Sequence, residues 1–90
     1  MADETSSLDA PIEFLKTEIK IGFTMAALAV DAVDDADKRE RNRQNANAAA
    51  ESVERFLPKL VDASAEDRQE IAAGLEKLKL AIAAIPRGAD

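Results

Sequence analysis

The sequence of 90 residues contains no cysteine, histidine, tryptophan or tyrosine. Without cysteine and histidine, the chain has no disulfide, no thiol nucleophile, no imidazole general base and no Cys/His zinc site. The serines therefore lack the histidine that usually activates a serine nucleophile. We predict from these absences that the protein is not an enzyme, uses no cofactor or metal, and has no site for a small-molecule ligand.

Glycine and proline are also scarce, with three residues of each. This leaves little material for the turns of a many-stranded β fold. Hydrophobic residues make up 47% of the chain, which is too many for a disordered protein. A chain of this length forms one domain with a thin margin of stability. The composition predicts a single helical domain over residues 10–86.

The charge balance and the apolar runs limit the possible partners. Twelve basic residues against 18 acidic residues give a net charge of −6, which argues against a general nucleic-acid binder. Residues 1–9 are acidic and carry no base, so they do not resemble a secretion signal and are predicted to be disordered. The most apolar stretch, residues 21–33, is shorter than the roughly 20 residues that span a membrane. We expect a cytoplasmic protein without a membrane partner.

The first predicted helix covers residues 10–33. Asp9 is a favoured N-cap residue, and Pro11 suits a first helical turn, where its missing N–H has no partner to lose. The apolar positions alternate at spacings of three and four, which is the pattern of a packed helix. This seam consists of Ile12, Leu15, Ile19, Gly22, Ala26, Ala29 and Val33.

The boundary between the first and second helices contains neither glycine nor proline. The acidic residues 34–37 favour a turn in which Asp34 caps a second helix over residues 36–57. The alternative is one helix that continues from residue 10 to residue 57. Pro58 cannot continue a helix and ends the second one in either case.

The third predicted helix covers residues 65–85, with Ser64 as its N-cap and Pro86 beyond its end. Three helices of matched length with short connections pack as antiparallel neighbours. The sequence therefore predicts an all-α fold, an antiparallel three-helix up-down-up bundle. The seams of the second and third helices are Ala46, Ala50, Val53, Leu57 and Leu60, and Ile71, Leu75, Leu78, Ile82 and Ile85.

Gly22 lies in the seam of the first helix. An antiparallel turn near residue 35 places it beside the small residues 48–50 of the second helix. We predict that the two backbones approach closely there, so that a side chain added at Gly22 overlaps with its neighbours.

The first helix carries more apolar surface than one neighbour can cover. Either the third helix covers the surplus, or the surface is an interface with another protein or a second copy of the chain. The candidate interface residues are Phe14, Ile21, Phe23, Met25, Leu28 and Val30.

Three charged residues, Glu18, Arg39 and Arg43, are candidate polar contacts. Glu18 is the one charge on the apolar side of the first helix, and it is either an ion-paired flanking residue or a buried acid. Arg39 and Arg43 occupy seam positions in the second helix where apolar residues are expected. The neighbouring acids Asp31, Asp34, Asp35 and Asp37 are interpreted as caps and ion-pair partners, since their spacing does not match an EF-hand metal loop.

Four bases, Lys38, Arg39, Arg41 and Arg43, lie within residues 38–43. Five acids in residues 31–43 leave this segment with a net negative charge, and no aromatic residue is present for base stacking. A paired, solvated face is the favoured interpretation. The alternative is a nucleic-acid-associated regulator that uses this segment.

Three short stretches carry a resemblance to a family. They are Phe14-Leu15-x-x-Glu18-Ile19-x-x-Gly22-x-Thr24, Arg41-x-Arg43-x-Asn45-Ala46 and Arg55-Phe56-Leu57. Over residues 12–60 the chain resembles short bacterial helical-hairpin proteins that have no assigned activity. The resemblance implies a helical hairpin and no mechanism. From all these features we predict a small helical module for protein–protein interaction or structure, with self-association as a homodimer.

Overall fold

The computed structural model describes the backbone of residues 2–87 and the side chains of residues 10–87. Three α-helices follow one another: α1 (Ala2–Asp31), α2 (Ala36–Phe56) and α3 (Ala65–Ala83). A short 3₁₀ helix, Leu57–Lys59, follows α2. All three helices pack against one another, and residues 2–87 contain no strand. The predicted all-α, three-helix bundle is confirmed.

Helix α1 begins earlier than predicted. It starts at Ala2 and contains Pro11 in its interior, so the boundary predicted at residue 10 was wrong. The region predicted as disordered, residues 1–9, has helical backbone over residues 2–9, and residue 1 lies outside the described residues. The missing N–H of Pro11 removes one backbone hydrogen bond. We attribute its tolerance to the burial of Ile12 and Leu15, which hold the following turn in the core.

Helix α1 ends at Asp31, and residues 32–35 form a turn before α2. This confirms the predicted turn and excludes the continuous helix. Val33 was wrongly predicted in the seam: it lies beyond the helix end and is 70% exposed. Ala32, the first residue of the turn, is buried instead, and the last core residue within α1 is Ala29.

The N-cap of α2 is Asp35 rather than the predicted Asp34. The Lys38 backbone N–H donates to the Asp35 Oδ1 at 3.0 Å. Asp35 has an extended backbone, which is the conformation of an N-cap residue, and its carboxylate also lies at the positive end of the helix dipole.

We expect Asp35→Ala to lower the free energy of unfolding by about 1 kcal/mol, because the Lys38 N–H loses its partner. Asp34→Ala is the matched control, since it removes the same charge one residue away and leaves the cap intact. Urea unfolding of both variants measures the difference. Equal losses would show that the effect comes from charge alone.

The other two helix ends follow the sequence prediction. Helix α2 ends at Phe56, just before Pro58, and the chain turns through the 3₁₀ helix. Ser64 caps α3 by accepting a hydrogen bond from the Asp67 backbone N–H at 3.0 Å. Helix α3 ends at Ala83, close to the predicted residue 85.

The core lies between the three helices and consists mainly of the predicted seams. Leu15, Val53, Ile71 and Leu78 are its largest fully buried side chains. The remaining buried apolar residues are Ile12, Ile19, Ala26, Ala29, Ala32, Ala46, Ala49, Ala50, Leu60, Leu75, Ile82 and Ile85. Leu57, predicted in the seam, packs against this core but is only partly buried.

The three helices approach one another closely at Gly22, which is buried. A β-carbon at this position would lie 3.3 Å from the Ala49 Cβ and 2.6 Å from the Leu78 Cδ2. The contact with α2 was predicted. The tighter contact, with α3, was not.

Candidate functional site

Helix α3 covers one face of the α1–α2 hairpin. Lys16 of α1 forms an ion pair with Glu70 of α3 at 3.4 Å, and Lys79 of α3 pairs with Glu54 of α2. Partial desolvation lowers the pKa of Lys16, but the hydrogen bond and charge of Glu70 outweigh it, so this pKa is raised. The hydrogen bond from Lys79 to Glu54 likewise raises the pKa of Lys79. These contacts place α3 on one side of the hairpin.

The opposite side of the hairpin is termed the open face. The rings of Phe14 in α1 and Phe56 in α2 meet edge to face there, with centroids 6.4 Å apart. Neither ring is buried: Phe14 is 50% exposed and Phe56 is 38% exposed.

The α1 half of the open face is an apolar stripe. Phe14, Ile21 and Leu28 are spaced by seven residues, so they lie along one side of the helix over about 21 Å. Ile21 is 41% exposed and Leu28 is 40% exposed. Met25 lies beside them and is half-buried against the core. Four of the six predicted interface residues thus lie on one side of α1.

The other two predicted interface residues lie elsewhere. Phe23 and Val30 share the side of α1 that carries Lys16 and Ile19, and that side faces α3. Both remain more than one third exposed. Helix α3 therefore covers this flank only in part, and the predicted interface is divided between two sides of α1.

A cleft lies at the end of the open face that is remote from the hairpin turn. It has a volume of about 270 Å³, and Phe14, Phe56, Leu15 and Leu60 form most of its wall. Lys59 is its one charged lining residue, and its Nζ lies 5.1 Å from the centroid of the Phe56 ring. Apart from Lys59, the lining residues are apolar, so the cleft is suited to an apolar side chain.

The α2 half of the open face has a different character. Residues spaced by three or four positions back from Phe56 share its side of the helix. The side chains in the middle of this row are small, and those at the end nearest the hairpin turn are basic. The row consists of Lys38, Arg41, Asn45, Ala48, Ser52 and Phe56. All are exposed except Ser52, which is half-buried.

The polar candidates have separate roles. The Arg39 guanidinium donates to the Ala32 carbonyl oxygen at 3.0 Å and to that of Val33 at 3.4 Å. It therefore binds two backbone acceptors of the turn that follows α1 and holds this turn against the start of α2. Sequence reasoning found the unusual position of Arg39 but not this use of it.

Arg43 pairs with Glu40, and this hydrogen bond lowers the pKa of the Glu40 carboxyl. Glu18 is half-buried and lies in the row between Phe14 and Ile21. Of the three polar candidates, only Glu18 belongs to the open face. Among the described residues, no group of acidic side chains is arranged to hold a metal ion.

The α2 half of the open face was missed at the sequence level. Its signal is an absence of large side chains between a basic end and Phe56, and this signal has meaning only after Phe56 fixes which side of α2 is free. Over the described part of the chain, no helix is long and apolar enough to cross a membrane.

Comparison with known proteins adds nothing to this surface: no family model, no curated protein and no solved structure matches the chain.

Proposed function

We propose that the protein is a non-enzymatic protein–protein interaction module that assembles as a homodimer through its open face. The observation that carries the proposal is the stripe of Phe14, Ile21 and Leu28, each at least 40% exposed, on one side of α1. An exposed apolar stripe of this kind marks an interaction site, and the half-buried Glu18 lies between its first two members. A second copy supplies a surface of the same size and shape, as a two-fold interface requires.

The contacts of the basic residues in segment 38–43 support this proposal over the nucleic-acid alternative. Arg39 is engaged with carbonyl oxygens of the hairpin turn, and Arg43 is paired with Glu40. Two of its four bases are therefore occupied within the chain.

The cytoplasm is the location in which we propose that the dimer acts, as expected from the composition.

Light scattering tests the assembly. At tens of micromolar, we expect a mass of about twice the 9.7 kDa of one chain. Ile21→Glu should give a monomer, because it places a charge in the centre of a stripe that the dimer would bury, and an unpaired buried charge costs several kcal/mol.

Leu80→Glu is the matched control for this variant. Leu80 is 71% exposed and lies on α3, away from the open face, so this change should leave the dimer intact. A monomeric wild-type protein at this concentration would overturn the proposal. So would equal masses for the two variants.

A further inference from the structure

A second cleft lies between α1 and α3, away from the open face, and has a volume of about 470 Å³. Its floor is apolar, since Ile19 and Ile71 are buried and Gly74 carries no side chain. Its rim is charged and consists of Glu13, Lys16 and Lys20 of α1 and Glu70 and Lys77 of α3. An apolar floor with a few charged groups around it is typical of a ligand site.

Helices α1 and α3 run in the same direction along this cleft. Lys16 pairs with Glu70, and about two turns further along both helices the Leu78 side chain lies against Gly22. The numbers of the contacting residues rise together and differ by 54 and 56. A residue of α1 is therefore level with the residue about 55 positions later in α3.

This register places like charges of the two helices side by side. Glu13 of α1 and Glu70 of α3 are level to within two residues, or about 3 Å of helical rise, and so are Lys20 and Lys77. In each helix the lysine follows the glutamate by seven residues, or about 10 Å. The cleft therefore has an acidic end and a basic end.

The acidic end remains acidic after its internal ion pair is counted. Lys16 pairs with Glu70 across the cleft at 3.4 Å. Partial desolvation lowers the pKa of Lys16, but Glu70 and, more weakly, Glu13 and Asp67 outweigh this and raise it. One base therefore faces three acids, which favours a second cation at this end.

The basic end has no acid of its own. Neither Lys20 nor Lys77 forms an ion pair with another residue of the region 10–87. Glu76, which precedes Lys77 in the chain, instead lies near Lys79, at 3.9 Å. Two ammonium groups on the rim of one cleft attract an anion.

We infer that the cleft between α1 and α3 binds a small extended zwitterion, with its ammonium group at the acidic end and its carboxylate at the basic end. A tripeptide has the required length, because an extended peptide spans about 3.3–3.6 Å per residue and three residues therefore cover about 10 Å. Small apolar side chains of the peptide lie on the apolar floor. An aliphatic ω-amino acid of the same length offers the same two charges.

Gly74 supports a role for the depth of the cleft. Its φ is not positive, so the backbone does not require glycine at this position. The nearest obstacle to a β-carbon would be the Ile19 Cδ1, which is the flexible end of a side chain. Glycine therefore weakens α3 without the packing reason that applies at Gly22, and it keeps the floor of the cleft low.

This inference goes beyond the proposed function and does not depend on it, because the cleft and the open face lie on different sides of α1. It departs from the expectation that the chain has no site for a small molecule. That expectation rested on the absence of cysteine and histidine, and the pairing of charges with a zwitterion requires neither.

Titration with trialanine at low salt tests the inference, since salt screens exposed charge pairs. Backbone amide chemical shifts should change and saturate at residues that line the cleft, such as Thr17 and Gly74. N-acetylated trialanine and trialanine amide should each bind about fivefold more weakly, because each lacks one of the two charges. Dialanine, which is too short to reach both ends, should also bind more weakly than trialanine.

Removal of the basic end is the second arm of the test. In the double variant Lys20→Gln, Lys77→Gln, trialanine and its amide should bind equally, because nothing remains to recognise the carboxylate. Lys79→Gln is the matched control, since Lys79 pairs with Glu54 outside the cleft, and it should keep the preference for the free carboxylate. The three lysines are exposed, so the urea midpoints of the variants should match that of the wild type.

Equal affinities of the wild type for trialanine and its two blocked forms would overturn the inference. So would shifts confined to residues outside the cleft, or the absence of saturable shifts at millimolar concentrations of trialanine and of ω-aminooctanoate. Binding of ω-aminooctanoate as tightly as trialanine would support the zwitterion and show that the cleft reads the two charges alone. Weaker binding of ω-aminooctanoate would support a peptide as the ligand. None of these outcomes changes the mass measured by light scattering, so a failure here is distinct from a failure of the proposed homodimer.

Discussion

Replacing Leu78 with alanine should lower the free energy of unfolding by about 3–5 kcal/mol, the range for leucine truncation in a tightly packed core. Leu78 is completely buried and lies where α3 meets both other helices, with its Cδ atoms against the Gly22 backbone. A cavity at this point cannot close without moving α3 as a whole. For a protein of this size, the loss is a large share of the total stability.

Leu80→Ala is the matched control, since Leu80 lies two residues away on the same helix and is 71% exposed. It should change the free energy of unfolding by less than about 0.5 kcal/mol. Urea unfolding at equal protein concentrations measures both variants. A loss below half a kcal/mol for Leu78→Ala would mean that α3 is not packed on the hairpin.

The second large effect is expected at Gly22. Gly22→Leu should destabilise the protein by about 1–3 kcal/mol or more, because the site has no space for a side chain. Even a β-carbon would lie 2.6 Å from the Leu78 Cδ2 and 3.0 Å from the Leu78 Cδ1. Gly22→Ala should therefore be neutral or destabilising, although alanine in a helix interior is otherwise favoured over glycine by about 1 kcal/mol.

Gly74→Ala provides the comparison. A β-carbon at Gly74 would lie 3.1 Å from the Ile19 Cδ1, a flexible side-chain end that needs to move only slightly. This variant should be at least as stable as the wild type. In a Leu78→Ala background, Gly22→Ala should be more favourable than in the wild type, since the two Leu78 Cδ atoms are gone and the Ala49 Cβ, at 3.3 Å, is the tight contact that remains. Additive effects of the two changes would show that they do not touch.

The seams and most helix ends were predictable because they depend on local rules. Spacings of three and four residues identified the buried sides of all three helices, and Pro58 and Ser64 marked two of the ends. The start of α1 was not predictable in this way, because Pro11 is compatible with a first turn and, at the cost of one hydrogen bond, with an interior position. Whether Asp34 or Asp35 caps α2 depends on the residue at which α1 ends, and the sequence does not mark that residue with a glycine or a proline.

The candidate interface was predictable as a surplus of apolar residues but not as a surface. The sequence pattern does not state on which side of the hairpin α3 packs. Because α3 packs where it does, Phe23 and Val30 lie on the side of α1 that faces α3, and Phe14, Ile21 and Leu28 lie on the open face. The contact between Leu78 and Gly22 was hidden for the same reason.

The position of α3 also has a consequence for how the chain assembles. The turn held by Asp35 and Arg39 joins helices that are adjacent along the chain, so the α1–α2 hairpin can form through local contacts, which favours rapid folding. Until α3 docks, the hairpin exposes two apolar sides instead of one. During that interval α3 of a second chain can bind in place of the chain's own α3, which is the route to domain swapping. The short connection at residues 60–64 opposes the exchange, because it keeps α3 at a high local concentration beside its own hairpin.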